Sequence, residues 1–166
     1  LAQVKQSLAF EDQLELEAEI SETVQFEKSQ ISWIQRIPDP GAHMVVATRH
    51  KLLERVSGNL VHRGLEFLGI DTGRVTVLIR VVEVLWVQGL AAGKVNKLET
   101  GLGEVEGQIL LHEIADQKVT VTCCLGNDQS FTGQIRSVFR DSISVCSGNT
   151  EVTINLGQLV GLKLAT

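Results

Sequence analysis

Apolar and polar residues alternate with a period of two along much of the second half of the chain. Three such series are Val119–Cys123, Phe131–Ser137 and Thr150–Leu156. This period is typical of strands that bury one face. Turn-forming residues separate the series at Gly126–Asp128 and Ser147–Asn149. The pattern predicts five short strands in about 45 residues, which favours a small closed or nearly closed barrel.

The same pattern occurs twice. When residues 44–87 are placed on residues 119–162 without a gap, the apolar positions coincide and several residues are identical. The identical pairs are Val46 with Val121, Gly58 with Gly133, Gly73 with Gly148, Val77 with Val152, and Ile79 with Ile154. We therefore predict two copies of one unit in a mainly β chain with helices. The predicted segments are an N-terminal helical segment (1–41), a first barrel (42–90), a linker (91–103) and a second barrel with its own leading helix (104–166).

Residues 10–37 show helical rather than strand periodicity. Apolar residues recur at helical spacing, and Pro38-Asp39-Pro40-Gly41 then ends the pattern. The apolar positions are Leu16, Ile20, Val24, Ile31 and Ile34. Residues 11–27 also hold seven acidic residues and no basic one. The sequence predicts one long acidic helix. Either its N-terminal half projects or packs on another subunit, or the helix lies across both barrels.

The second copy resembles the Sm-like proteins. The run Val119–Val138 is similar to the first Sm motif, and Val152–Val160 is similar to the fourth and fifth strands around their tight turn. Such folds begin with a helix, and Glu104–Asp116 fits that position. The layout is also similar to an actinobacterial family in which an acidic helix precedes two such barrels. The resemblance implies two five-stranded Sm-like (SH3-like) barrels, which commonly join edge to edge through their fourth and fifth strands.

The resemblance also suggests where RNA would bind, namely at the loops between strands two and three and between strands four and five. The matching residues are His62, Arg63 and Arg80 in the first copy, and Phe139, Arg140 and Asn155 in the second. Phe139 and Arg140 are of the types that stack on a base and hold a phosphate. However, Val81-Val82 and Leu156-Gly157 stand where Sm motifs carry an Arg-Gly pair. RNA binding is therefore the alternative hypothesis.

The two copies differ on their outward-facing positions. Several of these positions are polar residues or glycine in the second copy and apolar in the first, where Val61, Phe67, Leu78, Val82 and Trp86 replace Arg136, Ser142, Thr153, Gly157 and Gly161. A sheet that is apolar on both faces must be covered on both. The cover is the N-terminal helix, the second barrel or another chain. We predict that these five residues form a partner interface. We also predict that the strands near Val77–Ile79 and Val84–Val87 are edges that pair with another chain, which gives dimers or small rings.

The sequence does not indicate catalysis. It lacks Gly-x-Ser-x-Gly, His-Glu-x-x-His and Walker patterns, and its four histidines are scattered, so we expect neither an enzyme nor a bound metal or cofactor.

The three cysteines suggest buried thiols in a reducing cytoplasm rather than a disulfide framework. The net charge of −5 argues against DNA as a partner, and no apolar run is long enough for a membrane span. We expect a binding module whose partner is itself, another protein or RNA.

Overall fold

The computed structural model describes residues 11–22, 32–91 and 103–165. The described residues include two α-helices, α1 at residues 11–22 and α2 at Gly103–Asp116. The strands are β1 His43–Thr48, β2 Val56–Arg63, β3 Phe67–Asp71, β4 Thr76–Arg80, β5 Val84–Gln88, β6 Thr120–Leu125, β7 Ser130–Val138, β8 Ser142–Ser147, β9 Thr150–Asn155 and β10 Leu159–Leu164. The prediction of a mainly β chain with helices is confirmed. The predicted linker, 91–103, lies almost wholly outside the described residues.

All ten strands belong to one open antiparallel sheet, in the order β5-β1-β2-β3-β4-β10-β6-β7-β8-β9. The junction between the two halves is the pairing of β4 with β10, in which Leu78 lies opposite Leu162 and Ile79 opposite Gly161. The arrangement into two separate barrels is not confirmed, because backbone hydrogen bonding is continuous across this junction. We call β1–β5 the first unit and β6–β10 the second unit.

Within each unit the strands follow the same order and the same registers. Leu60 pairs with Ile70 in the first unit, as Ile135 pairs with Val145 in the second, and a bulge follows at the same place in both. The gapless repeat therefore holds from β2 to β5. It is wrong for the first strand, because Ala47 pairs with Trp86 while Cys124 pairs with Gly161. Matching residues of β1 and β6 are 77 positions apart (124 − 47), whereas matching residues of β5 and β10 are 75 apart (161 − 86). The loop that follows β1 is therefore two residues longer than the loop that follows β6.

The long second strand of each unit contains a glycine at a point of close contact with the third strand. A Cβ atom at Gly58 would collide with the carbonyl oxygen of Asp71, and one at Gly133 would collide with the carbonyl oxygen of Cys146. No other residue lets the neighbouring strand approach this closely.

Two apolar cores lie along the sheet, and each contains side chains from both units. The first core is built on β1–β4 but includes Cys124 and Val160 of the second unit. The second core is built on β6–β10 and α2 but includes Phe67 and Leu78 of the first unit. The exchange of buried side chains means that neither core is complete without the other unit.

The N-terminal helix is shorter at its carboxyl end than predicted. Ser32 is extended, and its amide donates to the side chain of Gln35 (2.9 Å), which begins a 3-10 helix at Trp33–Arg36. Trp33 and Ile34 pack against the first core, and Ile37 is fully buried. The prediction of one helix over 10–37 is therefore wrong for residues 32–37, while residues 10 and 23–31 lie outside the described residues. All side chains of α1 are exposed, so its described residues cover neither unit.

Candidate interaction surface

Two of the five residues predicted to face a partner are buried inside the chain. Phe67 is 1% exposed and Leu78 is 2% exposed, and both pack in the second core. The second unit and α2 therefore cover this part of the outer face of the first unit. The prediction that Phe67 and Leu78 contact a partner is wrong, since a partner has no access to either side chain.

The other three predicted residues are exposed and lie on three different elements. Val61 lies on β2, which β1 separates from β5 in the sheet, and Val82 lies in the turn that precedes β5. Trp86 is 44% exposed at the middle of β5. Leu85, beside it, is 63% exposed although it was not among the predicted interface residues. A bulge where β5 pairs with β1 lets both consecutive side chains reach solvent, and sequence alternation alone gives no sign of that bulge.

β5 is an edge strand of the sheet. It pairs with β1 on one side, and no described strand pairs with it on the other. Its five residues carry no charge, which is unusual for an exposed edge because unpaired backbone groups invite a further strand. We call the outer edge of Val84–Gln88, with the exposed side chains of Leu85 and Trp86, the β5 surface.

An open groove of about 870 Å³ runs beside the β5 surface. The loop after β1 forms its opposite wall, and the guanidinium of Arg55 lies 5.9 Å from the centre of the Trp86 ring. A cation at this distance is attracted to the face of an indole. Arg49 of the same loop forms an ion pair with Glu83 (2.9 Å). The loop is therefore attached to β5 and to the turn that leads into it.

The second unit fixes the other end of this loop. His50 is buried, with Nδ1 accepting from the amide of Leu52 (3.1 Å) and Nε2 3.0 Å from the carbonyl oxygen of Gln129. This geometry assigns the proton to Nε2, since a carbonyl oxygen only accepts. The amide of Lys51 donates to Asp128 (2.9 Å). These contacts hold the groove wall in place without any partner.

The opposite edge of the sheet, β9, has a different chemistry. Its exposed positions are Thr150, Glu151, Thr153 and Asn155. Glu151 accepts a hydrogen bond from Ser144 and lies 3.7 Å from Arg136. Charged and polar side chains on an edge strand discourage pairing with another chain. The two free edges of the sheet are thus unequal, one apolar and one polar.

The three candidate RNA contacts of the first unit have partners within the chain. Arg63 forms an ion pair with Asp39 (3.1 Å), and His62 lies 3.7 Å from Glu106 of α2. Arg80 donates to the carbonyl oxygens of Leu156 (2.7 Å) and Leu159 (3.3 Å). These side chains are at most partly exposed and connect the first unit to neighbouring elements.

The candidate RNA contacts of the second unit are exposed. Arg140 and Asn155 line a recess of about 340 Å³ to which Arg80 also belongs, so the structure brings these three residues together. Glu66 and Asp141 line the same recess, which balances its two arginines with two acids. Phe139 is 55% exposed at the end of β7. Asn155 is oriented by its own turn, where it accepts from the amide of Gly157 (2.8 Å).

The cysteines do not form a reactive or metal-binding centre. Burial raises the pKa of the Cys123 thiol to about 12 and that of Cys124 to about 11, so both are protonated near neutral pH. Cys146 is partly exposed. Within 11–22, 32–91 and 103–165, no group of three or more His, Cys, Asp or Glu side chains is placed to hold a metal ion.

None of the described helices combines the length and the apolar character needed to cross a membrane. A scan against protein-family models gave no match, and a search of curated proteins gave no significant match.

Proposed function

We propose that this chain is a binding and assembly module that associates with itself through the β5 surface. The observation that carries the proposal is an uncharged edge strand with two neighbouring exposed apolar side chains, Leu85 and Trp86. Burying side chains of this size contributes about 1.5–3 kcal/mol each, and a paired edge satisfies its backbone groups. We further propose that each unit is an Sm-like barrel, which is supported by the strand order 5-1-2-3-4 that both units share.

Assembly through a strand edge has a precedent inside the chain. β10, the fifth strand of the second unit, pairs with β4 and thereby joins the two units. β5 is the matching strand of the first unit, and its outer edge is free in the described chain. Because β10 uses this edge to pair with a protein strand, the matching free edge of β5 is also suited to pairing with a protein strand.

RNA binding finds less support. Three of the six candidate residues are used in contacts within the chain, and the recess that holds Arg80, Arg140 and Asn155 has as many acids as arginines. Single-strand binders combine a positively charged groove with stacking aromatics, whereas no aromatic side chain lines this recess and its charges balance. Labelled oligoribonucleotides titrated across a salt series test this alternative. A steep fall of affinity with salt would support RNA binding.

Replacing Trp86 with glutamate tests the assembly proposal. We expect the wild-type chain to exceed its monomer mass of 18.1 kDa in size-exclusion chromatography with light scattering, and Trp86→Glu to return to that mass. A carboxylate at the centre of β5 must lose water when the edge is covered, which is unfavourable. Since Trp86 is partly exposed, far-UV circular dichroism should be unchanged. A wild-type chain that stays monomeric up to about 100 µM would contradict the proposal.

A further inference from the structure

We infer that the β5 surface pairs with the β5 surface of a second copy about a two-fold axis, giving a closed dimer rather than a head-to-tail ring. The inference rests on the proposed function and decides between the two assemblies that an exposed edge allows. Head-to-tail assembly would repeat the internal junction, with β5 of one chain against β9 of the next. Two-fold assembly uses β5 twice and leaves β9 free.

The internal junction depends on a glycine that β5 lacks. A Cβ atom at Gly161 would lie 2.5 Å from the carbonyl oxygen of Leu78 and 2.7 Å from Cδ1 of Leu53. Distances below 3.0 Å are essentially never found for Cβ atoms. Trp86 is the residue of β5 that matches Gly161. Each of these two residues pairs with the matching position of the first strand in its own unit. A head-to-tail copy of the junction would therefore drive Trp86 into the backbone at Thr153, the counterpart of Leu78.

The β9 side of a head-to-tail junction would also be unfavourable. Phe67 and Leu78 provide the apolar face on which the second unit packs. Their counterparts in the second unit, from the strand registers, are Ser142 and Thr153. A head-to-tail junction would bury these hydroxyl groups against an apolar partner, at a cost unless each finds a hydrogen bond.

Two-fold pairing of β5 avoids both difficulties. Trp86 is the middle residue of the strand, so an antiparallel pair centred there places Trp86 opposite its own copy and Val84 opposite Gln88. Residues directly opposite each other in an antiparallel pair project to the same face, where aromatic pairs are favourable. No charged residue lies within Val84–Gln88, so two copies bring no like charges together along the strand.

Matched substitutions on the two edges separate the assemblies. We expect the wild-type chain to reach a limiting mass of twice 18.1 kDa over about 1–100 µM. Thr153→Glu on β9 should leave the dimer dissociation constant within about twofold, whereas Trp86→Glu should raise it by 100-fold or more, in line with the loss of a central aromatic contact. Masses of three or more chains, or dissociation by Thr153→Glu, would overturn the two-fold arrangement while leaving self-association through β5 standing. A monomeric wild-type chain would instead overturn the proposed function itself.

Disulfide trapping checks the register in a Cys146→Ser background, in which the remaining native thiols are buried. Trp86→Cys should give a covalent dimer under mild oxidation, since only a two-fold axis brings position 86 opposite itself. Val84→Cys combined with Gln88→Cys keeps Trp86 and should be trapped as well. Head-to-tail pairing predicts instead that Val87→Cys combined with Thr153→Cys forms a ladder of oligomers, following the pairing of Leu162 with Leu78. That ladder, with no product from the other two variants, would overturn the inference.

Discussion

Phe67→Ala is expected to lower the free energy of unfolding by about 3–5 kcal/mol, the usual loss when a buried phenylalanine is truncated. Phe67 belongs to the first unit by sequence, yet it is 1% exposed because the second unit and α2 cover it. The loss includes the transfer free energy of the ring and the cavity left behind in a core that two units share. Urea denaturation followed by circular dichroism measures it.

Val61→Ala is the matched control for Phe67→Ala. Val61 lies on the outward side of the same unit but is about half exposed, so its truncation should change stability by no more than about 0.5 kcal/mol. If Phe67→Ala cost as little as Val61→Ala, the outer face of the first unit would not be covered by the second unit.

Gly161→Ala is expected to destabilise the chain by about 2–3 kcal/mol, at the upper end of the range for overpacking. The added methyl group meets the backbone of β4 at Leu78 and the side chain of Leu53. Backbone cannot rotate away as a side chain can, so β4 and β10 must separate or shift. Thermal unfolding should show a lower midpoint.

Gly126→Ala is the control for Gly161→Ala. A Cβ atom there would meet first the side-chain oxygen of Gln158, at 3.2 Å, and this flexible amide can move. The change should stay within about 0.5 kcal/mol. Equal stabilities of the two variants would show that β4 and β10 are not held in the close contact described above.

The strands were predictable because they are short and bounded by turn residues, and because Val119–Cys123, Phe131–Ser137 and Thr150–Leu156 alternate between apolar and polar residues. The shared order of the two units was predictable from the repeat, since Gly58 and Gly133, where the neighbouring strand approaches closely, fall at the same place in both copies. The two-residue offset between β1 and β6 could not be predicted from the sequence. Val46 and Val121 coincide in the gapless comparison, but β1 has apolar residues at adjacent positions, so a shift of two still places apolar on apolar.

The covering of Phe67 and Leu78 could not be derived from the sequence. An apolar residue on an outward face shows that something covers it, and periodicity within one strand does not say what. The pairing of β4 with β10 decides it, and that contact spans more than 80 residues of sequence. Residues 32–37 were misassigned for a related reason, because Ile34 fits the helical spacing but lies in a 3-10 helix that packs against the first core.

The candidate RNA residues illustrate the same limit. Arg63, His62 and Arg80 have suitable chemistry for RNA, but they lie at the ends of β2 and β4, and their partners Asp39, Glu106 and Leu156 come from elsewhere in the chain. Leu85 was overlooked for the opposite reason, since the bulge beside Trp86 exposes a residue that strict alternation would bury.

Hydrogen exchange at two protein concentrations tests the central claim most directly, namely that the free edge of β5 pairs with a second copy. The outward amides of Val84–Gln88 should exchange more slowly at high concentration, because pairing gives them hydrogen-bond acceptors. The amides of Thr150–Asn155, on the other free edge, should exchange at the same rate at both concentrations. Concentration-dependent protection of Thr150–Asn155, or none in Val84–Gln88, would contradict the account.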